Sequence, residues 1–588
     1  MEPGDRVVAR AASRRGPGYI AWAAAAALPA GFLALFFLWP VLSLMAVGFG
    51  GGFDPASGTE ATEGAGPFGG FAAVFSEART WRVIGQTLAQ AVAGTALSLT
   101  LGLPAAFVLY RLEFKGRGLL RGLATVPFVL PTVVVGVAFT ALLGPGAPLA
   151  GLGLDQSFTA IVLALAFFNV TVVARTVGGF WAQLDGRVEQ AAVMLGASPL
   201  RVLATVTLPR LTPAIASAAA LVFLFCATSF GVVLVLGGRA FSNIETEIYR
   251  LTVQYLDLRS AAVLSIVQFA IVAAVLVVST RLRRRKEGAT EMRFAAARES
   301  ASGHGGSVRA AKVSRAALPA ILVFASTALL LHALPLVALV VRSLRDGRGG
   351  FTLANYAHLF APPASARLNG TVIDAVLLSL AIAFAATALA MTLGVLVALV
   401  ASRRPRSRAL RRGIELFDGV VMLPLGVSAV TVGFGLLLTM HRPLGLGFDL
   451  RTSIVLLPVA QALVALPLVV RTLLPVLRGL DERQREAAAM LGASPLRVLG
   501  TIDLRVLARP LGLALGFAFA TSLGEFGASA FLVRPGAQTL PVMIAQLIGR
   551  QGAENYGMAL AAAVVLAVLT ASVMLLAERW RGEVAAEI

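Results

Sequence analysis

Met194-Leu-Gly-Ala-Ser-Pro-Leu-Arg-Val-Leu203 recurs letter for letter as Met490-Leu-Gly-Ala-Ser-Pro-Leu-Arg-Val-Leu499, about half of the 588-residue chain further on. A repeat of this kind sets the architecture before any other reading. The residues leading into each copy, Arg187-Val-Glu-Gln-Ala-Ala-Val-Met-Leu195 and Arg483-Gln-Arg-Glu-Ala-Ala-Ala-Met-Leu491, are rich in helix formers. Gly196 and Gly492 stand where a helix closes in a left-handed residue. Ser198-Pro199 and Ser494-Pro495 supply an N-cap and a first-turn proline for a second helix. The spacing therefore predicts a short helix, a glycine turn and a second helix entering apolar sequence. The alanine pairs 191/192 and 487/488 leave one face of the first helix nearly bare, a surface that suits close helix contact.

The chain is 57% hydrophobic and only 14% charged, against about a quarter charged in soluble domains. Apolar runs of about 20 residues read as membrane spans. Twelve are expected: 19–47, 84–110, 119–143, 158–178, 212–236 and 261–280 in the first half, then 317–341, 372–400, 414–438, 453–470, 510–533 and 557–577. Each copy of the block falls between the fourth and fifth span of its half, so the repeating unit is six helices long. The expected fold is all-α and integral to the membrane, with residues 1–280 as the first unit, 281–316 as a basic polar linker and 317–588 as the second unit. The run from 19 to 47 is too long for a signal core and reads as an uncleaved first span.

The formal charge of +20 would suggest nucleic acid in a soluble chain, but here the arginines lie between apolar runs. Roughly three quarters of the lysines and arginines fall on the side holding both termini, both blocks, the linker and the loops near 111–121 and 403–412. The positive-inside rule places that side in the cytoplasm. The opposite loop, 48–82, carries Asp54, Glu60, Glu63 and Glu77. Cys226 is a single cysteine inside an apolar run and His304, His332, His358 and His441 have no ligand spacing, so no disulfide framework and no metal site are expected. A P-loop needs Gly-Lys followed by Ser or Thr; the lysines are Lys115, Lys286 and Lys312, and none is so placed. Any ATP-driven movement would need a separate ATPase, and the two blocks are its natural docking points.

Gln190-Ala-Ala-x3-Gly196-Ala and Glu486-Ala-Ala-x3-Gly492-Ala resemble the EAA signature of binding-protein-dependent ABC importer permeases. The resemblance covers nearly the whole chain and implies two fused type I permease units. It implies coupling loops at 181–211 and 474–508, with Glu189, Gln190, Ala191, Ala192, Gly196 and Ala197 in the first and Glu486, Ala487, Ala488, Gly492 and Ala493 in the second. It implies no cofactor on this chain and no catalysis by it: ATP and magnesium would be held by two copies of a partner ATPase. A periplasmic binding protein would deliver a small-molecule substrate, and the chain would sit among lipids of the bacterial inner membrane with both termini cytoplasmic. Two departures stand out. Gln190 replaces the family glutamate, with Glu189 adjacent, and Arg505 replaces the proline present at Pro209.

Within that family, Cys226-Ala-Thr-Ser-Phe-Gly-Val-Val-Leu-Val-Leu-Gly-Gly238, Ile244-Glu-Thr-Glu-Ile-Tyr249, Asp503-Leu-Arg-Val-Leu-Ala-Arg-Pro510 and Thr539-Leu-Pro541 are similar to permeases for thiamine or its phosphates. Ferric iron permeases come next, and molybdate, sulfate or spermidine are further alternatives. Glu525 in Leu523-Gly-Glu-Phe-Gly527 is an acid inside an apolar run, a functional candidate by default. Its counterpart is Ser229. With Phe230 and Phe526, these two form an expected substrate path, in which a carboxylate and rings would suit a cation. The alternative has Glu525 capping a local break between Gly524 and Gly527. Pro127 and Pro131 in the third span and Pro424 in the ninth predict paired interruptions. An ion-coupled secondary transporter is the competing class, poorly supported by so few intramembrane acids. No catalytic constellation marks a membrane enzyme.

Overall fold

A computed structural model describes residues 17–50, 68–300, 311–312, 317–347, 349–363, 370–403, 407–443, 447–534 and 536–583. The basic residues expected before the first span, the acidic residues Asp54, Glu60 and Glu63, and most of linker residues 301–316 lie outside them. Among the described residues nine helices are long and apolar enough to cross a membrane, and three bent pairs bring the number to twelve. These are the twelve expected spans. Strand structure there is confined to a two-residue parallel pairing of Leu112–Glu113 with Ala311–Lys312. The protein is thus an all-α, multi-pass membrane protein. Part of the expected linker is helical, because the sixth span continues without a break in one helix, Leu258–Ser300.

The paired interruptions fall where the prolines predict them. The third span divides into Arg117–Val129 and Thr132–Leu143, bent by 96°. Leu130, held extended at ψ 138° by the following Pro131, makes the corner. The ninth span divides into Arg408–Gly426 and Ala429–Thr439, bent by 101°. There Pro424 opens a tight turn, Val427 is extended, and the Ser428 hydroxyl accepts a hydrogen bond from the Thr431 N–H to restart the helix. Local caps are needed because lipid offers no partner to a freed backbone group.

The fifth and eleventh spans differ from expectation at both ends. Each begins earlier, one at Pro199 and the other at Leu499, and each stops mid-way: one helix ends at Ala227 and the other at Leu523. Short helices Gly231–Leu236 and Ser529–Leu532 follow. The residues expected in the substrate path, Ser229, Phe230, Glu525 and Phe526, therefore lie in helix breaks.

The chain folds as two compact units that cut across the sequence repeat. One comprises Met45–Val376 with Arg534–Ala571, so the seventh span joins the core of the first half. In it, His332 donates to the Phe167 carbonyl at 3.0 Å, and Arg342 donates to the Ala141 and Pro145 carbonyls. The second and fourth spans form its centre, packed closely enough that a Cβ on Gly102 would lie 2.6 Å from the Val173 Cβ. The other unit comprises Met1–Leu44, Leu377–Val533 and Ser572–Ile588, so the first span joins the core of the second half. In it the Arg403 guanidinium lies 4.5 Å from the Trp22 ring centre.

Candidate coupling blocks and helix-break site

Both repeated blocks form the expected helix–turn–helix. Helices Arg187–Met194 and Glu482–Met490 close at Gly196 (φ +81°) and Gly492 (φ +79°). The Ala197 N–H donates to the Ala192 carbonyl and the Ala493 N–H to the Ala488 carbonyl, each at 3.0 Å. This is the six-to-one bond of a Schellman turn, which a left-handed residue makes accessible. Nothing lies within 4 Å of a Cβ built on either glycine, so the demand for glycine is one of backbone conformation alone. The Ser198 and Ser494 hydroxyls then accept from the Arg201 and Arg497 N–H groups as N-caps. At the other end of the blocks, Asp185 and Asp481 accept from the Arg187 and Arg483 N–H groups and fix the start of each first helix.

The tip of each block presents apolar side chains to the outside. Met194 and Leu195 are 88% and 89% exposed, and Met490 and Leu491 are 89% and 88% exposed. Gln190, Ala191, Glu486 and Ala487 are exposed beside them, while Ala192, Ala197, Ala488 and Ala493 are half-buried under the turn. Each Met-Leu pair is thus an apolar patch on an otherwise polar, arginine-rich segment.

The base of each block is tied to the bundle by one carboxylate. In the first copy it belongs to the block: Glu189 accepts from Arg111 Nη2 at 2.7 Å and from Thr207 Oγ1 at 2.9 Å. In the second copy it belongs to the stem: Asp503 accepts from Arg403 Nη2 at 2.6 Å and Arg485 Nε at 2.8 Å. Glu189 aligns with Arg485 and Thr207 with Asp503, so the same tie is made with its charges exchanged. Arg111 ends the second span and Arg403 follows the eighth, which makes the cation from the bundle common to both. Thr207 and Asp503 each end a π-helical turn, Leu203–Thr207 and Leu499–Asp503, whose extra residue turns the side chain onto the block. Among the expected block residues only Glu189 enters this tie. Arg111, Thr207, Arg403, Arg485 and Asp503 escaped sequence reading because Glu189/Arg485 and Thr207/Asp503 differ in letter and Arg111 and Arg403 are not at equivalent positions of the repeat.

The expected path residues are all buried. Glu525 is 6% exposed, and both carboxylate oxygens are occupied within its own turn. Oε1 accepts from the Ala528 N–H at 2.7 Å; Oε2 accepts from the Ser529 N–H at 3.0 Å and the Ser529 hydroxyl at 2.6 Å. The acid thus caps helix Ser529–Leu532, the alternative that the sequence left open. The turn is pressed on the second arm of the ninth span, where a Cβ on Gly433 would stand 2.6 Å from the Ala528 Cα. In the other compact unit the Ser229 carbonyl accepts from Asn243 Nδ2 at 2.6 Å, and the Phe230 ring centre lies 5.3 Å from that of Tyr249. Phe526 is 4% exposed. Ser229 and Glu525 fall in different compact units, each as part of a local backbone repair.

Arg485→Glu alone places two carboxylates at one buried base, and Asp503→Thr alone leaves two arginines without their counter-charge. Each should cost about 3 kcal/mol. Combined, they rebuild the arrangement of the first copy around Arg403, and the melting temperature of the purified chain should recover most of the loss. Additive losses would show that the two ties are unrelated. Glu525→Gln turns an NH2 toward the Ser529 N–H and should cost about 1–3 kcal/mol. An unchanged melting temperature with impaired transport would instead assign the carboxylate to the solute.

A family model described as the inner membrane component of binding-protein-dependent transport systems matches residues 98–285 and again 390–580. The thiamine transport system permease protein of Brucella abortus (strain 2308) is 28% identical over 578 residues, covering 94% of each chain. That of Escherichia coli (strain K12) is 27% identical over 493 residues, covering 82% of this chain and 86% of its own. The molybdenum transport system permease protein of Haemophilus influenzae is 34% identical over 226 residues, covering 35% of this chain and 92% of its own. With two matched segments that together span more than half of its length, each ending beyond one of the repeated blocks, the chain belongs to the family of binding-protein-dependent transport system inner membrane components.

Proposed function

We propose that this chain is the transmembrane permease subunit of an ATP-driven importer for thiamine or its phosphates. Two copies of a separate ATPase dock on the two blocks, hold the ATP and magnesium, and do the hydrolysis. A periplasmic binding protein delivers the solute. The chain lies in the inner membrane with both termini and both blocks in the cytoplasm, as the distribution of lysine and arginine favours. Glu189, Gln190, Ala191, Ala192, Gly196 and Ala197, with Glu486, Ala487, Ala488, Gly492 and Ala493, are the residues through which ATPase movement enters.

The observation that carries this reading is the pair of blocks with matching backbone turns and exposed Met-Leu tips. A secondary transporter has no use for them. Because the base of each block is bonded both to the end of one span and to the start of another, a pull on the tip is delivered to two helices together. Closure of the ATPase pair would then bias the bundle between two arrangements, the form that transport coupling takes. The substrate rests on a separate support: similarity to thiamine permeases runs along 94% of the chain.

Radiolabelled thiamine uptake in cells expressing the chain with its ATPase and binding protein tests both parts. Saturable, ATP-dependent uptake that vanishes on deletion of this chain is the expected result. Ferric iron accumulation without thiamine uptake would replace the substrate and leave the importer reading intact. Uptake driven by an ion gradient without ATPase would overturn the class.

A further inference from the structure

The second span is one long helix of its unit. Helix Ala78–Arg111 has 34 residues, about 50 Å at 1.5 Å per residue. Arg111 at one end holds Glu189 of the coupling block. Arg79 and Arg82 lie in the first turns at the other end, across the membrane from the block. There a cavity of about 510 Å³ opens, lined by Arg79, Arg82, Arg239 and Arg250. Its size is within the range of small-molecule sites, about 300–1,000 Å³.

The walls are fixed by bonds that leave positive charge in excess. Gln86 donates to the Ala240 carbonyl at 3.3 Å and accepts from the Ser242 N–H at 3.0 Å, clamping the loop that carries Arg239. Arg250 donates to the Ser242 hydroxyl at 2.8 Å and the Gly238 carbonyl at 3.2 Å, both neutral acceptors. Arg79 is paired with Glu247, Nε to Oε1 at 2.7 Å. Arg82 and Arg239 make no ion pair among the described residues. Three guanidinium groups thus face one small cavity with their charge not cancelled by a bonded carboxylate. Guanidinium forks match the oxygen spacing of phosphate, and a concave surface lined by one sign of charge focuses their field. Tyr255, 61% exposed, adds a ring face to the lining, suited to the cationic ring of a phosphorylated organic cation.

We propose that this cavity is a binding site for a phosphoryl or diphosphoryl group, occupied by a phosphorylated solute on the side of the membrane from which it enters. The entry side rests on the importer reading above; the anion chemistry does not. Two sources share that chemistry, a free phosphorylated solute and a lipid headgroup.

The test is calorimetric titration of the full chain, in phosphatidylcholine nanodiscs, with inorganic pyrophosphate and with thiamine diphosphate. Both should bind, with affinity that falls as salt rises, and Arg82→Gln/Arg239→Gln should weaken both by at least about tenfold. Both side chains are exposed, so the variant should melt as the parent does. Persistence of binding in nanodiscs containing phosphatidylglycerol supports the solute as occupant. Abolition of binding by that lipid assigns the cavity to a headgroup and overturns the solute. No pyrophosphate binding, or equal binding by parent and variant, overturns the site itself. None of these outcomes depends on thiamine uptake, so the site and the substrate assignment fail separately.

Discussion

Each half of this chain depends on one carboxylate placed at the junction between the membrane bundle and the block projecting from it. A carboxylate at such a place is costly unless met by charge and hydrogen bonds. Arg111 and Thr207 meet it in one half, Arg403 and Arg485 in the other. The exchange of Glu189 for Arg485 and of Thr207 for Asp503 shows what is being preserved: a charged tie between block, second-span end and fifth-span start, indifferent to which element supplies the negative group. The second tie is the more buried, with Asp503 fully enclosed and Glu189 partly open. The two blocks are therefore held with different stiffness, although their tips are identical.

Much of this was open to sequence reading. The helix, glycine turn and proline restart of the blocks are local, and Gly196 and Gly492 take the left-handed conformation that their positions imply. The twelve spans follow from apolar length, and the corners in the third and ninth spans from Pro131 and Pro424 acting through the backbone beside them. What escaped is long-range or depends on backbone breaks. Apolar periodicity marks a face to be buried but not the surface that buries it, so the transfer of the first span to one unit and the seventh to the other had no signal. Glu525 reads as an acid in hydrocarbon until the helix is seen to stop at Leu523; it then becomes the acceptor for a turn with donors and no water. The charge-exchanged ties were hidden because comparing the copies letter by letter scores Glu189 against Arg485 as divergence.

The helix breaks have a common logic. Backbone groups freed inside a membrane must be satisfied nearby, and the two halves do this differently. In one, Asn243, the N-cap of helix Ile244–Arg250, reaches back to the Ser229 carbonyl; in the other, Glu525 accepts from the turn itself. Flexure can concentrate at such breaks, because neighbouring helices are already interrupted there while the packed centre formed by the second and fourth spans stays whole. A transport cycle driven from the block tips would move rigid pieces about these interruptions.

Docking of an ATPase on both blocks can be tested by cross-linking because Cys226 is buried. Met194→Cys and Met490→Cys each introduce one exposed thiol at a block tip. With the ATPase subunit co-expressed, a maleimide photo-cross-linker attached at either thiol should capture it on irradiation, and nucleotide should change the yield. Cross-linking at neither position, with the ATPase still co-purifying, would show that it docks elsewhere.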